Sequence, residues 1–230
     1  MLQGIAMLCV GDARDLLVIG KGTEILFCLL VVQFRRYGCL LYYFEHQICL
    51  TYDKMRRASA MKITLRPLGN IDEDVVEALK KGVSNIFCCS VAVEPGSCDL
   101  SLAYNAQRKQ YSSTTLLASL PCAADEKVVG ITDVDLYVPR LNFVFGEADV
   151  TSGKAIVSLY RLRQEYYGLS PDKGLFLQRA IKELVHELGH LFGLGHCSNS
   201  KCVMHFSNSL ADTDFKEARF CYRCCPKLFL

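Results

Sequence analysis

The sequence has no apolar stretch long enough to cross a bilayer, no large excess of either charge, no internal repeat, no low-complexity tract and few histidines. In the first sixty residues two uncharged runs, 25–34 and 37–44, are separated by Arg35 and Arg36. A spanning helix needs about 20 apolar residues, so neither run qualifies. The formal net charge is +2, and no basic run extends beyond Arg35-Arg36 and Arg56-Arg57, so nothing pulls the chain toward nucleic acid or acidic lipid. An export signal is disfavoured: the hydrophobic stretch starts late and no clear positive region precedes it, although Ala58-Ser59-Ala60 has the small-residue pattern of a cleavage site. Expected partners include neither nucleic acid nor a membrane.

A chain of 230 residues that is 51% hydrophobic and 22% charged can bury one sizeable core. At Met61 the pattern changes to an alternating, half-buried strand ended by Pro67 and Gly69. This places a domain over 61–230. The preceding segment, 1–60, is expected to be a non-native upstream extension, with Met61 the natural initiator, or a poorly packed appendage. Within the domain the pattern predicts helices over 71–83 and 112–120, and strands over 85–93, 127–138, 142–150 and 154–162. Mixed elements of this kind give an α+β or α/β class.

Five histidines occur in the whole chain, and three fall in one run, His186-Glu187-Leu188-Gly189-His190-Leu191-Phe192-Gly193-Leu194-Gly195-His196. On a helix, residues four apart share a face one turn apart, so His186 and His190 can hold one ion, with Glu187 in the same arc. A continued helix would carry His196 about 9 Å further along the axis, so the chain must turn back, which Gly193 and Gly195 permit. The spacing is the long zinc-peptidase form HExxHxxGxxH, far more specific than a bare HExxH. The helix bearing it is expected to start at Ser170 as N-cap, with Pro171 first and Asp172 behind. Leu177, Ile181, Leu184, Leu188 and Leu191 form its core-facing stripe, opposite the histidines.

Thirteen cysteines admit a disulfide scaffold, metal ligands or reduced thiols. Cys88, Cys89, Cys98 and Cys122 are scattered and read as small buried hydrophobes. Cys197, Cys202, Cys221 and Cys224 form two pairs beside the histidine run, a set that suits a closed tetrahedral structural zinc. The tail that carries them is too poor in apolar residues to form a core alone, so a metal crosslink would supply the missing stability.

The order HExxHxxGxxHC, then Cys202-Val203-Met204, then Cys221-Tyr222-Arg223-Cys224, resembles the archaemetzincin family of metzincin zinc metallopeptidases. The resemblance implies a metzincin-like zincin fold, with a twisted mixed sheet, backing helices and an active-site helix in an upper subdomain, 61–196. A small lower subdomain, 197–230, would be built on the four-cysteine zinc. It further implies that His186, His190 and His196 bind the catalytic zinc, that Glu187 is general base and acid, and that Cys197, Cys202, Cys221 and Cys224 hold a second zinc. Met204 would be the methionine of the Met-turn beneath the metal. Phe206 stands where some metzincins carry a metal-proximal tyrosine, which leaves the oxyanion donor unassigned; His205 reads as structural.

The expected activity is peptide-bond hydrolysis by a zinc-bound water, with two zinc ions per chain and a peptide or protein as substrate. An edge strand at 142–150 is the candidate for pairing with extended substrate. The competing reading is a catalytically silent, zinc-stabilised peptide-binding module. A zinc ribbon on nucleic acid conflicts with the near-neutral charge. Many thiols without an export signal favour a reducing cytoplasm, and a monomer is expected.

Overall fold

The computed structural model describes residues 61–123 and 125–228, and, within 1–60, the backbone of four short strands. These are β1 (Ile5–Met7), β2 (Leu16–Ile19), β3 (Val31–Phe34) and β4 (Cys39–Leu40), paired antiparallel in sequence order. The expectation that 1–60 is an extension or appendage falls outside the described residues. The chain divides into two compact units, 1–51 and 52–230.

The second unit is built on a five-stranded mixed sheet. Its strands are β5 (Lys62–Leu68), β6 (Val91–Val93), β9 (Glu126–Thr132), β11 (Gly146–Asp149) and β12 (Lys154–Ser158). The order is β11-β12-β9-β5-β6, parallel throughout except for β11, which runs antiparallel along one edge. The central strands are continuous apolar runs because both faces are covered: Ile63, Leu65, Val128, Val129, Ile131, Ile156 and Val157 have no exposed surface. A smaller sheet joins β7 (Tyr104–Asn105), β8 (Gln110–Ser112) and β10 (Leu136–Tyr137).

Helix α1 (Glu73–Phe87) begins at Asp72, whose side chain accepts from the Asp74 amide. It runs on into the stretch expected to open a strand, because Val83 and Phe87 are both buried on its inner face and the Phe87 ring meets Phe192 and Phe220. Tertiary packing thus overrides local β-propensity. Helix α2 (Ser113–Ser119), capped by Ser112, buries Leu116 and Leu117 with Leu68, Leu136 and Ile156. The expected strand over 127–138 breaks at Thr132, and that over 154–162 ends at Ser158 in a 3-10 turn, Tyr160–Leu162. Only Gly146–Asp149 of the expected 142–150 strand is regular; ahead of it Val144 makes a single bridge to Leu136.

Helix α3 (Lys173–Leu191) is capped by Asp172, which accepts from the Leu175 amide, and not by Ser170. Ser170 and Asp172 flank Pro171 with similar cap chemistry, and the extended backbone of Asp172 decides between them. Leu184, Leu188 and Leu191 of the predicted stripe are buried, whereas Leu177 and Ile181, nearer the start, are partly exposed. α1 and α3 lie against each other so closely that a Cβ on Gly82 would sit 2.7 Å from Ile181 Cδ1. A last short helix, α4 (Leu210–Phe215), has a reciprocal capping box between Ser209 and Asp212. No helix among the described residues is long and apolar enough to cross a membrane.

Candidate metal centres

His186 and His190 lie one turn apart near the end of α3, and their Nε2 atoms are 3.1 Å from each other. Behind each ring a main-chain carbonyl meets Nδ1: Val203 O at 2.8 Å for His186 and Leu194 O at 2.8 Å for His190. A carbonyl only accepts, so Nδ1 carries the hydrogen in both rings and both Nε2 atoms present bare lone pairs. Two lone pairs that close repel unless a cation lies between them. Ligands at the usual zinc–nitrogen distance in a tetrahedron stand about 3.3 Å apart, so the donor pair fits zinc. A carbonyl behind each ring is the usual support for a metal-binding imidazole.

The third ring arrives by a chain reversal. α3 ends where the Phe192 amide donates to Leu188 O and Gly189 O, and Leu194 N donates back to Gly189 O. Gly193 takes φ +82°, the left-handed conformation such a helix end needs; Gly195 does not, so one of the two expected hinge glycines does the turning. His196 thereby comes to 5.3 Å from His186 and 4.9 Å from His190, ring to ring. The coordinating atoms of all three histidines lie within 4.8 Å of one another. Burial, reinforced by neighbouring cationic groups, shifts all three toward the neutral form that binds metal, strongly for the buried His186 and less for His190 and His196.

Glu187 is buried beside them, and burial, with the Glu183 carboxyl adding to it, raises its pKa well above the usual carboxylate range. The glycine that opens the edge strand presses on it: a Cβ on Gly146 would stand 2.6 Å from Glu187 Oε1. The cleft in front is lined by segment 141–146, Glu183, His186, Glu187 and 206–208. The Phe206 ring lies 4.8 Å from that of His196, and the Ser207 hydroxyl has no partner among the described residues.

Met204 is fully buried under α3, in a tight turn closed by the His205 amide donating to Cys202 O. The Cys197 amide donates to Met204 O at 2.9 Å, and the His205 ring reaches Cys197 O at 3.0 Å, a structural role. The sulfurs of Cys197, Cys202, Cys221 and Cys224 converge within 4.8 Å of one another. Backbone amides of Asn199 and Cys221 point at the sulfurs of Cys197 and Cys202. Burial opposes ionisation of Cys221, yet the amides of Arg223 and Cys224 and its thiol neighbours hold it down to about 7. Four clustered sulfurs with amide donors suit a closed zinc site.

The model for peptidase family M54 matches residues 100–229. The archaemetzincin of Methanocaldococcus jannaschii is 45% identical over 170 residues, covering 73% of this chain and 93% of that protein. This chain belongs to peptidase family M54, the archaemetzincins. Crystal structures agree: that of Archaeoglobus fulgidus archaemetzincin complexed with malonate is 41% identical, covers 73% of this chain and all of that one, and superposes with a TM-score of 0.65. That of Methanopyrus kandleri archaemetzincin is 40% identical over 73% of this chain and 92% of its own, with a TM-score of 0.64. As a family M54 member the chain is a zinc metallopeptidase, a hydrolase, with the metzincin-like fold expected from its motifs.

Around the archaemetzincin motifs the fold assembles groups that no motif announces. The Lys216 side chain has no exposed surface and lies 3.0 Å from Glu183, which also accepts from the Thr213 hydroxyl at 2.9 Å. Arg179 grips Asp214 with two bonds of 2.6 Å, and Lys182 donates to the carbonyls of Thr213 and Asp214. These contacts tie α3 to α4 immediately behind the histidines. A lone lysine or threonine near the C-terminus carries no sequence signal for such pairing; Gly146 carries none either.

Proposed function

We propose that His186, His190 and His196 hold the catalytic zinc, and that Cys197, Cys202, Cys221 and Cys224 hold a second, structural one. Glu187 acts as general base and then general acid in the hydrolysis of a peptide bond. The observation that carries this reading is the pair of bare Nε2 atoms 3.1 Å apart with the Glu187 carboxyl on the next residue. Bound zinc supplies a water whose pKa falls to about 7 and polarises the scissile carbonyl. Glu187 takes the water's proton on a carboxylate oxygen and delivers it to the departing amine. The free edge of β11, beside Glu187, aligns an extended peptide by main-chain hydrogen bonds. Met204 is the Met-turn residue and gives the site an apolar floor. The protein works as a monomer in the cytoplasm, a setting supported by the free thiols of the four-cysteine cluster.

Metal analysis of the purified protein, combined with a mixed peptide library, tests the reading. The expected result is about two zinc ions per chain, bound through the three histidines and four cysteines, and hydrolysis abolished in Glu187→Ala with zinc retained. Two zinc ions without Glu187-dependent hydrolysis would instead establish the silent peptide-binding module.

A further inference from the structure

A second cavity, of about 520 Å³, adjoins the segment that lines the catalytic cleft. That is within the range of pockets that take small molecules or substrate side chains. Asn142 lines both spaces, and Phe143, a wall of the cleft, stacks its ring under the Arg161 guanidinium at 4.3 Å. The two spaces are therefore neighbours across one strand of chain.

The charge inside is unbalanced. Arg161 is neutralised by Asp135 through bonds of 2.6 and 2.7 Å, and Asp133 by Arg163 at 3.0 Å. Among the described residues Arg108 meets no carboxylate: it donates to the carbonyls of Leu141 and Asn142 and to the Gln110 side chain, with its guanidinium over the Tyr137 ring. The exposed Lys109 side chain makes no hydrogen bond or ion pair among the described residues. Arg108 and Lys109 thus line one cavity without a carboxylate partner among the described residues, beside the half-exposed rings of Tyr160 and Tyr166.

Lys109 also holds an unusual backbone. It takes φ +55° in the turn between β7 and β8, a conformation glycine adopts freely and lysine rarely.

We propose that this cavity is a remote substrate subsite that takes a carboxylate, carried on an acidic side chain or a free C-terminus of a peptide whose main chain lies in the cleft. Asn142 and Phe143 are the partition that the peptide crosses, Lys109 and Arg108 receive the carboxylate, and the tyrosine rings cover the adjoining residue. The proposal rests on the peptidase reading of the cleft.

Fluorescence anisotropy on zinc-loaded Glu187→Ala protein tests it with three labelled peptides of one sequence frame: acidic and amidated, neutral with a free C-terminus, and neutral and amidated. One of the carboxylate-bearing peptides should bind roughly five-fold or more tighter than the neutral amide, with the advantage collapsing at high salt. The winner identifies the source of the carboxylate. Lys109→Gly, which also relieves the positive φ, should keep the fold and erase most of that advantage. In the active enzyme the same substitution should raise KM for the preferred peptide and leave kcat unchanged. Equal binding of all three peptides, or a preference that survives Lys109→Gly, overturns the subsite. Glu187-dependent hydrolysis with no carboxylate preference would sink the subsite alone. Lys109-dependent binding without hydrolysis would keep the subsite and sink the catalytic reading.

Discussion

Gly189 and Met204 are in such close contact that a Cβ on the glycine would stand 2.3 Å from the methionine Sδ. Neither α3 nor the turn at 202–205 yields easily, because Gly189, Cys202, Val203 and Met204 are buried and the turn is closed by hydrogen bonds. Gly189→Ala gains about 1 kcal/mol of helix propensity but loses about 1–3 kcal/mol or more to overpacking. The expected outcome is a lower melting temperature and weaker catalytic zinc binding, measured by calorimetry and chelator competition. Gly174→Ala on the same helix, where a Cβ would meet nothing closer than 3.4 Å, serves as the control and should not destabilise.

Removing one member of the buried Lys216–Glu183 pair leaves an uncompensated charge. Lys216→Met should therefore cost about 3–5 kcal/mol, seen as a large drop in denaturant midpoint. Lys216→Met combined with Glu183→Leu should recover much of that loss. If the double variant were no more stable than the single one, the pair would not be the source of the effect.

The histidines set an acid limit on the metal-free protein. In the folded state all three resist protonation, whereas in the unfolded chain each binds a proton below its ordinary pKa of 6.5. Protons thus favour the unfolded state, and stability should fall as pH drops below about 6.5, by at most about 1.4 kcal/mol per pH unit for the buried His186 and by less for His190 and the exposed, solvent-screened His196. Glu187, with a raised pKa, contributes the opposite sign above its ordinary value of 4.5. Melting curves of metal-free Glu187→Gln between about pH 5 and pH 6.5, below the range in which Cys221 titrates, isolate the histidine effect. A flat profile would contradict it.

The two proposed metal sites share a strap. Val203 O supports His186, Met204 O accepts from the Cys197 amide, and Cys197 O meets His205. Cys197→Ser should release structural zinc and also weaken catalytic zinc by about ten-fold or more, in line with the loss of outer supports at metal sites. Competition with a colorimetric chelator reads both affinities, and an unchanged catalytic affinity would show the sites to be independent.

The histidines, Glu187 and the four cysteines were legible because their chemistry depends on short spacing along one helix and two pairs. α2, expected over 112–120, spans Ser113–Ser119. The remainder depends on partners distant in sequence. Lys216 finds Glu183 across 33 residues, and a lone lysine otherwise reads as a solvated side chain. The end of α1 is set by Phe87 meeting Phe192 and Phe220. Pro67, read as the end of a strand, lies inside one because its carbonyl accepts from Gly96 and β6 stops opposite Leu65, so no partner there needs the missing amide.

Gly146 opens the edge strand and bounds Glu187 on that side. On the proposed reading, the element that would align a peptide and the element that limits the travel of the base are one and the same. Cleavage is then phased from residue 146 as from the zero of a ruler: a bulkier residue there would move the carboxylate relative to the aligned peptide while leaving all three imidazoles untouched. Such a change would surface first as imprecision about which bond is cut, before any loss of metal.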